Sequence, residues 1–362
     1  MPEIFSTISS GAITVVSFLV VLGVLVFVHE LGHFAVAKWA GIRVEEFGFG
    51  FPPRMLTLFK KGETEYTLNW LPLGGFVRMI GENGEDANDP RSFASKSKTW
   101  RAAVLVAGST MNLILPIFLF AIIAMTGVPD GEPTGRVDIM SVEANSPAAE
   151  AGLEAGDEIL YVANQRVTNV SQLISLIQQF ENDEIVVDVE RDGEMVDLAV
   201  VPRKMNNNPQ VKIGIAIADQ REIVYYGPID SFVFGVEQTG DLLVRMITGI
   251  SEIIGSAFNG TVQNGAVAGP VGIMQVTGEI AQTGNLQDLL YLAALLSINL
   301  AIMNMLPFPA LDGGRLIFVL LEALRGGKRI SPEREGLVHL VGMLVLLGLM
   351  GVISVFDLQR LL

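Results

Sequence analysis

Four stretches of the chain, residues 4–29, 102–129, 289–311 and 336–356, contain no Asp, Glu, Lys or Arg. A bilayer core takes about 20 residues of α-helix to cross, so the pattern predicts four transmembrane helices. Between the second and third stretches the pattern shortens. Residues 134–203 read as strands at 136–143, 158–163, 184–191 and 195–201 around two helices, one starting at Pro147 and one over 171–180. Asp192-Gly193 forms the hairpin turn. This predicts a compact α+β module. A third pattern follows, in which Asp230, Glu237, Asp241, Arg245 and Glu252 recur at intervals of 7, 4, 4 and 7, with Phe232, Leu243, Met246, Ile250, Ile253 and Ala257 opposite them. That is one amphipathic helix, either packed on the module or lying on the outer membrane surface. Residues 255–284, Gly-rich and broken at Gly269-Pro270, predict a loop or short hairpin entering the third span.

Composition agrees with a membrane protein: 50% of the 362 residues are hydrophobic and 17% charged, with a mean hydropathy of +0.46. The absence of cysteine excludes disulfides, thiolate-held metal and a thiol nucleophile. A net charge of −15 argues against nucleic acid as a partner. The distribution of that charge sets the expected orientation. Residues 38–101 carry 10 Lys/Arg against 8 Asp/Glu, whereas 129–288 carry 8 against 24. The turn 322–335 is basic again. The positive-inside rule then puts both termini and the α+β module outside, with 38–101 in the cytoplasm. The first span lacks the basic segment of a cleaved signal peptide. The expected divisions are a membrane half at 1–128, the module at 129–206, a linker with the surface helix at 207–287, and a second membrane half at 288–362.

Candidate chemistry lies in the spans. His29-Glu30-Leu31-Gly32-His33 puts two imidazoles on one helix face at i and i+4, able to share a zinc, with Glu30 beside them as a base. A capping cluster at a helix end is the plainer reading. It conflicts with the cost of ionisable groups at membrane depth, about 2.5–3.5 kcal/mol each. A catalytic zinc needs a third protein ligand and one open position. Asp312 is the only acid between Asp288 and Glu322, and the first and third spans run in the same direction, bringing His29, His33 and Asp312 to similar depth. Pro307 and Pro309 break the third span just before it. His339, alone at the start of the last span, reads as an interfacial residue rather than a ligand.

His29–His33 together with Asn304, Pro307, Pro309 and Leu311-Asp312-Gly313 resembles the site-2 protease family of intramembrane zinc metalloproteases, peptidase family M50, of the bacterial RseP/RasP type. The resemblance extends over nearly the whole chain. Segments 47–52 and 66–79 resemble that family's membrane-associated β-hairpin, held to pair with an extended substrate at Gly74, Gly75 and Phe76. Residues 146–160 are similar to the PDZ signature, and 269–273 also recur in the family. Only one PDZ module fits in 134–203.

The resemblance implies a polytopic helical protein of the bacterial cell membrane with one PDZ domain outside and the active site near the cytoplasmic face. It implies one Zn2+ per chain on His29, His33 and Asp312, and Glu30 as the base that activates water. It also implies that Asn304, Pro307 and Pro309 adjoin the substrate. Its partners would be the bilayer, single-span membrane substrates such as anti-sigma factors or signal-peptide remnants, and a C-terminal peptide in the PDZ groove. The segment Ser146–Asp157 is expected to help shape that groove, and the module to act on substrate entry. A PDZ scaffold without catalysis is opposed by the intact Glu30. A zinc transporter should line more than one depth of the bilayer with polar residues, and is opposed by a fourth span without Asp, Glu, Lys or Arg.

Overall fold

The computed structural model describes residues 2–82, 84, 86, 88–204, 211–258 and 269–361. It divides into two compact units, Met1–Thr126 with Tyr226–Leu362, and Gly127–Tyr225.

The first unit is built on long apolar helices. Among the described residues four are long and apolar enough to span a membrane: Gly11–Trp39 within α1 (Pro2–Trp39), α2 (Lys98–Thr126), α7 (Leu286–Met305), and Pro332–Gln359 within α9 (Pro332–Leu361). Helix α2 lies against both α1 and α7, and the approach is close because the facing residues are small, as expected where lipid supplies no hydrophobic drive between helices. A Cβ on Gly32 of α1 would overlap the Ala107 carbonyl of α2. Ser297 of α7 donates to the Asn112 carbonyl of α2 at 2.8 Å. At the start of α2, buried Arg101 donates to buried Glu322 at 2.6 Å, fixing α8 (Asp312–Leu324) to its base.

Between α1 and α2 run β1 (Val44–Lys61) and β2 (Thr64–Met79). Their register is more involved than a hairpin. Segment 44–49 pairs with 75–79 on one side and, over 46–49, with 65–68 on the other, while 54–61 pairs with 64–69. Both strands therefore fold back on themselves, and 75–79 forms one edge of the resulting sheet.

Two segments depart from the sequence expectation. Of the predicted loop 255–284, residues 259–268 lie outside the described ones, but α6 (Pro270–Thr283) is a helix. The break at Gly269-Pro270 is its start, with Gly269 at the N-cap, Pro270 in the first turn, and Gly284 (φ 71) ending it. Asp357 of α9 accepts from the Gly272 amide at 3.0 Å, a cap supplied by another helix. Helix α5 (Pro228–Phe258) forms as expected, but its buried stripe is Ser231, Gly235 and Thr239. A Cβ on Gly235 would overlap the Ile117 carbonyl of α2. Phe232, on the apolar side of the sequence pattern, is 47% exposed and meets Phe118 of α2 edge-on, with ring centroids 6.1 Å apart.

The second unit is a sheet of β3 (Val128–Val142), β4 (Glu158–Val162), β6 (Ile185–Arg191), β7 (Glu194–Val200) and β10 (Ile215–Val224), in the order β10-β3-β4-β6-β7. A short β5 (Gln165–Arg166) pairs with β4, and the two-residue strands β8 (Arg203–Lys204) and β9 (Val211–Lys212) pair with each other. Strand β10, past the expected end of the module at 206, joins it by pairing Ile215–Val224 with Val142–Val128. Alternate residues Val137, Ile139, Ile159, Val187 and Val189 turn inward to meet Leu173 and Ile177 of α4 (Val170–Gln178). Asp192 (φ 52) and Gly193 (φ 83) make the β6–β7 turn, both positive as a two-residue hairpin requires. Ser146 caps α3 (Pro147–Ala151) by accepting from the Ala149 amide.

The loop after α3 is fastened by Arg191, whose Nε and Nη2 each donate to Asp157 at 2.7 Å while Nη2 also reaches the Gly152 carbonyl. Asp157 in turn accepts from the Glu154 amide at 2.9 Å. Burial pushes the Asp157 carboxyl up, but Arg191 and the Glu154 amide outweigh it and hold it below the usual carboxylate range. The bonds of Asp157 therefore contribute fully above the ordinary carboxylate pKa, about 3.9, and are lost as pH falls through the lower folded value. Asp157→Asn should lower the stability of an excised 127–225 fragment at pH 7 by about 1.5–3 kcal/mol and shrink the variant–parent difference under strong acid. Urea titrations at pH 7 and pH 2 measure both.

Candidate metal centre

Helix α1 runs ten residues beyond His29, to Trp39, so the two histidines sit inside a helix rather than at its end. Their Nε2 atoms lie 3.1 Å apart. Asp312, first residue of α8, brings Oδ2 to 3.1 Å from one and 3.2 Å from the other. All three side chains are largely withdrawn from solvent. A tetrahedral zinc with bonds of about 2.0–2.1 Å would space its ligand atoms roughly 3.3 Å apart, close to what is seen. Among the described residues this is the one cluster of three or more His, Cys, Asp or Glu side chains able to hold a metal.

The far side of each imidazole fixes which nitrogen faces the centre. His33 Nδ1 donates to the Val104 carbonyl of α2 at 2.7 Å, leaving the Nε2 lone pair inward. His29 Nδ1 faces the Asn112 side-chain amide at 3.3 Å, and Asn112, fully buried, has an Oδ1 with no other partner. A neutral His29 with its Nε2 lone pair inward carries its proton on Nδ1, and the Asn112 amide turned so that Oδ1 faces the ring accepts from that Nδ1–H. Such outer partners set tautomer and ring orientation in metal sites. Helix α2 also leaves room for the rings, since a Cβ at Gly108 would overlap His33 Nε2 and stand 2.7 Å from His29 Cε1. The donor set of two neutral imidazoles and one carboxylate, with no fourth His, Cys, Asp or Glu ligand among the described residues, suits a zinc that keeps a position open.

The cluster opens on a cavity of about 490 Å³ that is also lined by Glu30, Asn304, Gly74, Gly75 and Phe76. Pro307 and Pro309 do not line it; they lie in the turn between α7 and α8. Gly75 belongs to the sheet edge and allows it to approach the base, because a Cβ there would lie 3.1 Å from both Glu30 Cγ and the Gly48 carbonyl oxygen. Arg315 and Glu82 pair on the cavity wall. Burial alone would weaken the Arg315 charge, but Glu82, with Asp312 adding to it, keeps the guanidinium more firmly protonated than usual.

Sequence reasoning missed Gly108, Asn112, Glu82 and Arg315. The signal for Asn112 was available, since it is the one Asn in the apolar run 102–129. His339 lies outside the cluster and is half-buried, its Nδ1 accepting from the Ala310 amide at 2.9 Å.

Two histidines four apart on an apolar helix, a carboxylate from a broken one and a neighbouring Glu define a metal-dependent hydrolase set among membrane helices. The profile of peptidase family M50 matches residues 17–349. The zinc metalloprotease RasP of Oceanobacillus iheyensis is 32% identical, over 96% of this chain and 99% of that one. The regulator of sigma-W protease RasP of Bacillus subtilis is 31% identical over the same shares. The PDZ domain of an SdrC-like protein from Listeria monocytogenes is 22% identical over 25% of this chain and 90% of that one, with a TM-score of 0.21. The chain belongs to peptidase family M50 and is an integral-membrane zinc metalloprotease.

Proposed function

We propose that this protease cuts single-span membrane proteins within the bilayer, with one zinc held by His29, His33 and Asp312 and with Glu30 as the base. The observation that carries the reading is the convergence of the two Nε2 atoms and Asp312 Oδ2 within 3.2 Å of one another. A zinc bound there supplies Lewis acidity, which makes water nucleophilic at neutral pH and polarises the substrate carbonyl. Glu30 takes the proton of the attacking water and returns it to the leaving amine. The substrate enters as an extended strand, because helical carbonyls are already hydrogen-bonded. It pairs along the edge 75–79, whose Gly75 adjoins Glu30. Asn304 binds the substrate backbone. Pro307 and Pro309 keep the turn before Asp312 non-helical.

The β-unit supplies a second contact. Its apolar groove of about 650 Å³ lies between α4 and β10, lined by Ile174, Ile177, Ile213, Ile215 and Ile217 with Lys212 alongside. Residues 146–157 take no part in that lining. They are held instead by Arg191 and by backbone bonds such as that from Ala148 to the Ile213 carbonyl. A substrate C-terminus with an aliphatic last residue fits such a groove. The charge distribution supports a cytoplasmic 38–101, with the β-unit and both termini outside a bacterial cell membrane. The relative whose name refers to sigma-W regulation favours an anti-sigma factor as substrate over a signal-peptide remnant.

The test is zinc content together with cleavage of a tagged single-span protein in reconstituted vesicles. Asp312→Ala should abolish cleavage and weaken zinc binding at least about tenfold, because two histidines alone make a poor site. Full zinc loading of that variant would put the third ligand elsewhere.

A further inference from the structure

The turn that carries Asp312 is unusually constrained. Pro307 and Pro309 contribute no amide hydrogen, Phe308 donates to the Leu306 carbonyl at 2.7 Å, and Leu311 donates to Phe308 at 3.2 Å. Between the second proline and Leu311 stands Ala310, at φ +81. That is left-handed backbone, which costs a residue with a Cβ about 1–2 kcal/mol. Its amide is satisfied from outside the turn, by Nδ1 of His339 on α9 at 2.9 Å. One turn further along α9, Gly342 lies against Pro309 so closely that a Cβ there would overlap the proline ring and approach its carbonyl oxygen to 2.6 Å. Helix α9 therefore grips two consecutive residues, 309 and 310, separated from Asp312 only by Leu311.

The ring of His339 is an expensive way to fill that space. Accepting at Nδ1 leaves the proton on Nε2, and Nε2 is buried without a hydrogen-bond partner, its nearest carboxylate oxygen being that of Glu335 at 4.0 Å. Leu or Phe would pack against Phe318, whose ring centroid is 5.3 Å away, with no orphaned donor. What His339 adds over them is the acceptor for Ala310.

We propose that His339 is a positioning residue for the metal centre: by holding the Ala310 amide it keeps the left-handed turn in place, and through it the Asp312 carboxylate where the two histidines point. Helix α9 contributes no ligand, yet it determines whether the third one is presented. The inference rests on Asp312 being a zinc ligand, as proposed above.

The experiment measures zinc affinity of the detergent-solubilised full chain by chelator competition, alongside thermal stability. His339→Leu removes the acceptor and keeps the bulk, and should weaken zinc about 10–100-fold, the usual effect of losing an outer partner. His339→Asn, whose Oδ1 can take the place of Nδ1, should stay within about threefold of the parent. Adding Ala310→Gly to His339→Leu should recover most of the loss, because glycine holds a positive φ without strain. Should His339→Leu not accumulate, His339→Ser, too short to reach Ala310, takes its place against His339→Asn. Equal weakening in the Asn and Leu (or Ser) variants would show that the ring and not its acceptor matters, and no weakening in any would show that α9 does not position the ligand. Either result overturns the proposal. Asp312→Ala run in parallel separates the two readings: if it leaves zinc affinity intact the ligand assignment has failed, and if it alone weakens zinc only the role of His339 has failed.

Discussion

Glu30→Gln gives a protein that inserts, folds and loads zinc as the parent does but cleaves about 10²–10⁴-fold more slowly, the range that a positioned general base supplies. Glutamine keeps the shape and volume of the side chain, and none of the three converging atoms comes from residue 30, so the metal centre stays complete. What is lost is a group able to accept a proton from water beside the Gly75 edge. Measured zinc content must accompany the rate. A variant that cleaves normally removes Glu30 from the role of base, and one that loses zinc makes Glu30 part of the metal centre rather than its neighbour.

The second large effect is expected where no chemical group is present. Gly108→Ala adds one methyl group to α2 at the point where it faces His33 Nε2 and His29. Neither ring has an easy retreat, since His33 is held by the Val104 carbonyl and His29 by Asn112. Overpacking of this kind costs about 1–3 kcal/mol, and here it is paid by the ligand atoms themselves. Zinc affinity should fall about 10–100-fold, as for other changes just outside a metal's ligands, with cleavage falling in step. Gly348→Ala on α9, where nothing lies within 4 Å of the added carbon, is the control and should change neither. Chelator competition on both variants decides it; parental affinity in Gly108→Ala would mean that the rings do not depend on that gap.

How much of this was legible depended on what kind of residue made each contact. The pair His29 and His33 announces itself, because two imidazoles at i and i+4 in an apolar helix have no cheaper explanation. Asp312 was legible by isolation between Asp288 and Glu322. The residues that orient these ligands were not. Gly108 carries no functional group, and its role exists only because α1 crosses α2 there. His339 looked like a lone polar residue near a membrane surface, since nothing in its own neighbourhood pointed to Ala310, 29 positions away. In α5 apolar patterning found the helix but not the buried stripe Ser231, Gly235 and Thr239, whose small side chains carry no hydrophobic signal. Helices approach each other closely through small residues, so the apolar face of such a helix need not be the face most buried against protein. Helix α6 was hidden for a related reason: Gly-Pro signals a break, but at a helix start it is a beginning.

The two ends of the metal centre are 283 positions apart in the chain, and this has a consequence for biogenesis. During synthesis α1 leaves the ribosome and enters the bilayer with both histidines long before α8 exists. In that interval a metal would meet two imidazoles and nothing more, a site too poor to retain zinc. With Asp312 as the third ligand, as proposed, catalytic competence would arrive only once α8 has been made. On that assignment a newly inserted chain could not yet attack the membrane proteins maturing beside it, nor its own early segments, and a polypeptide that stops before residue 312 would lack the proposed metal centre.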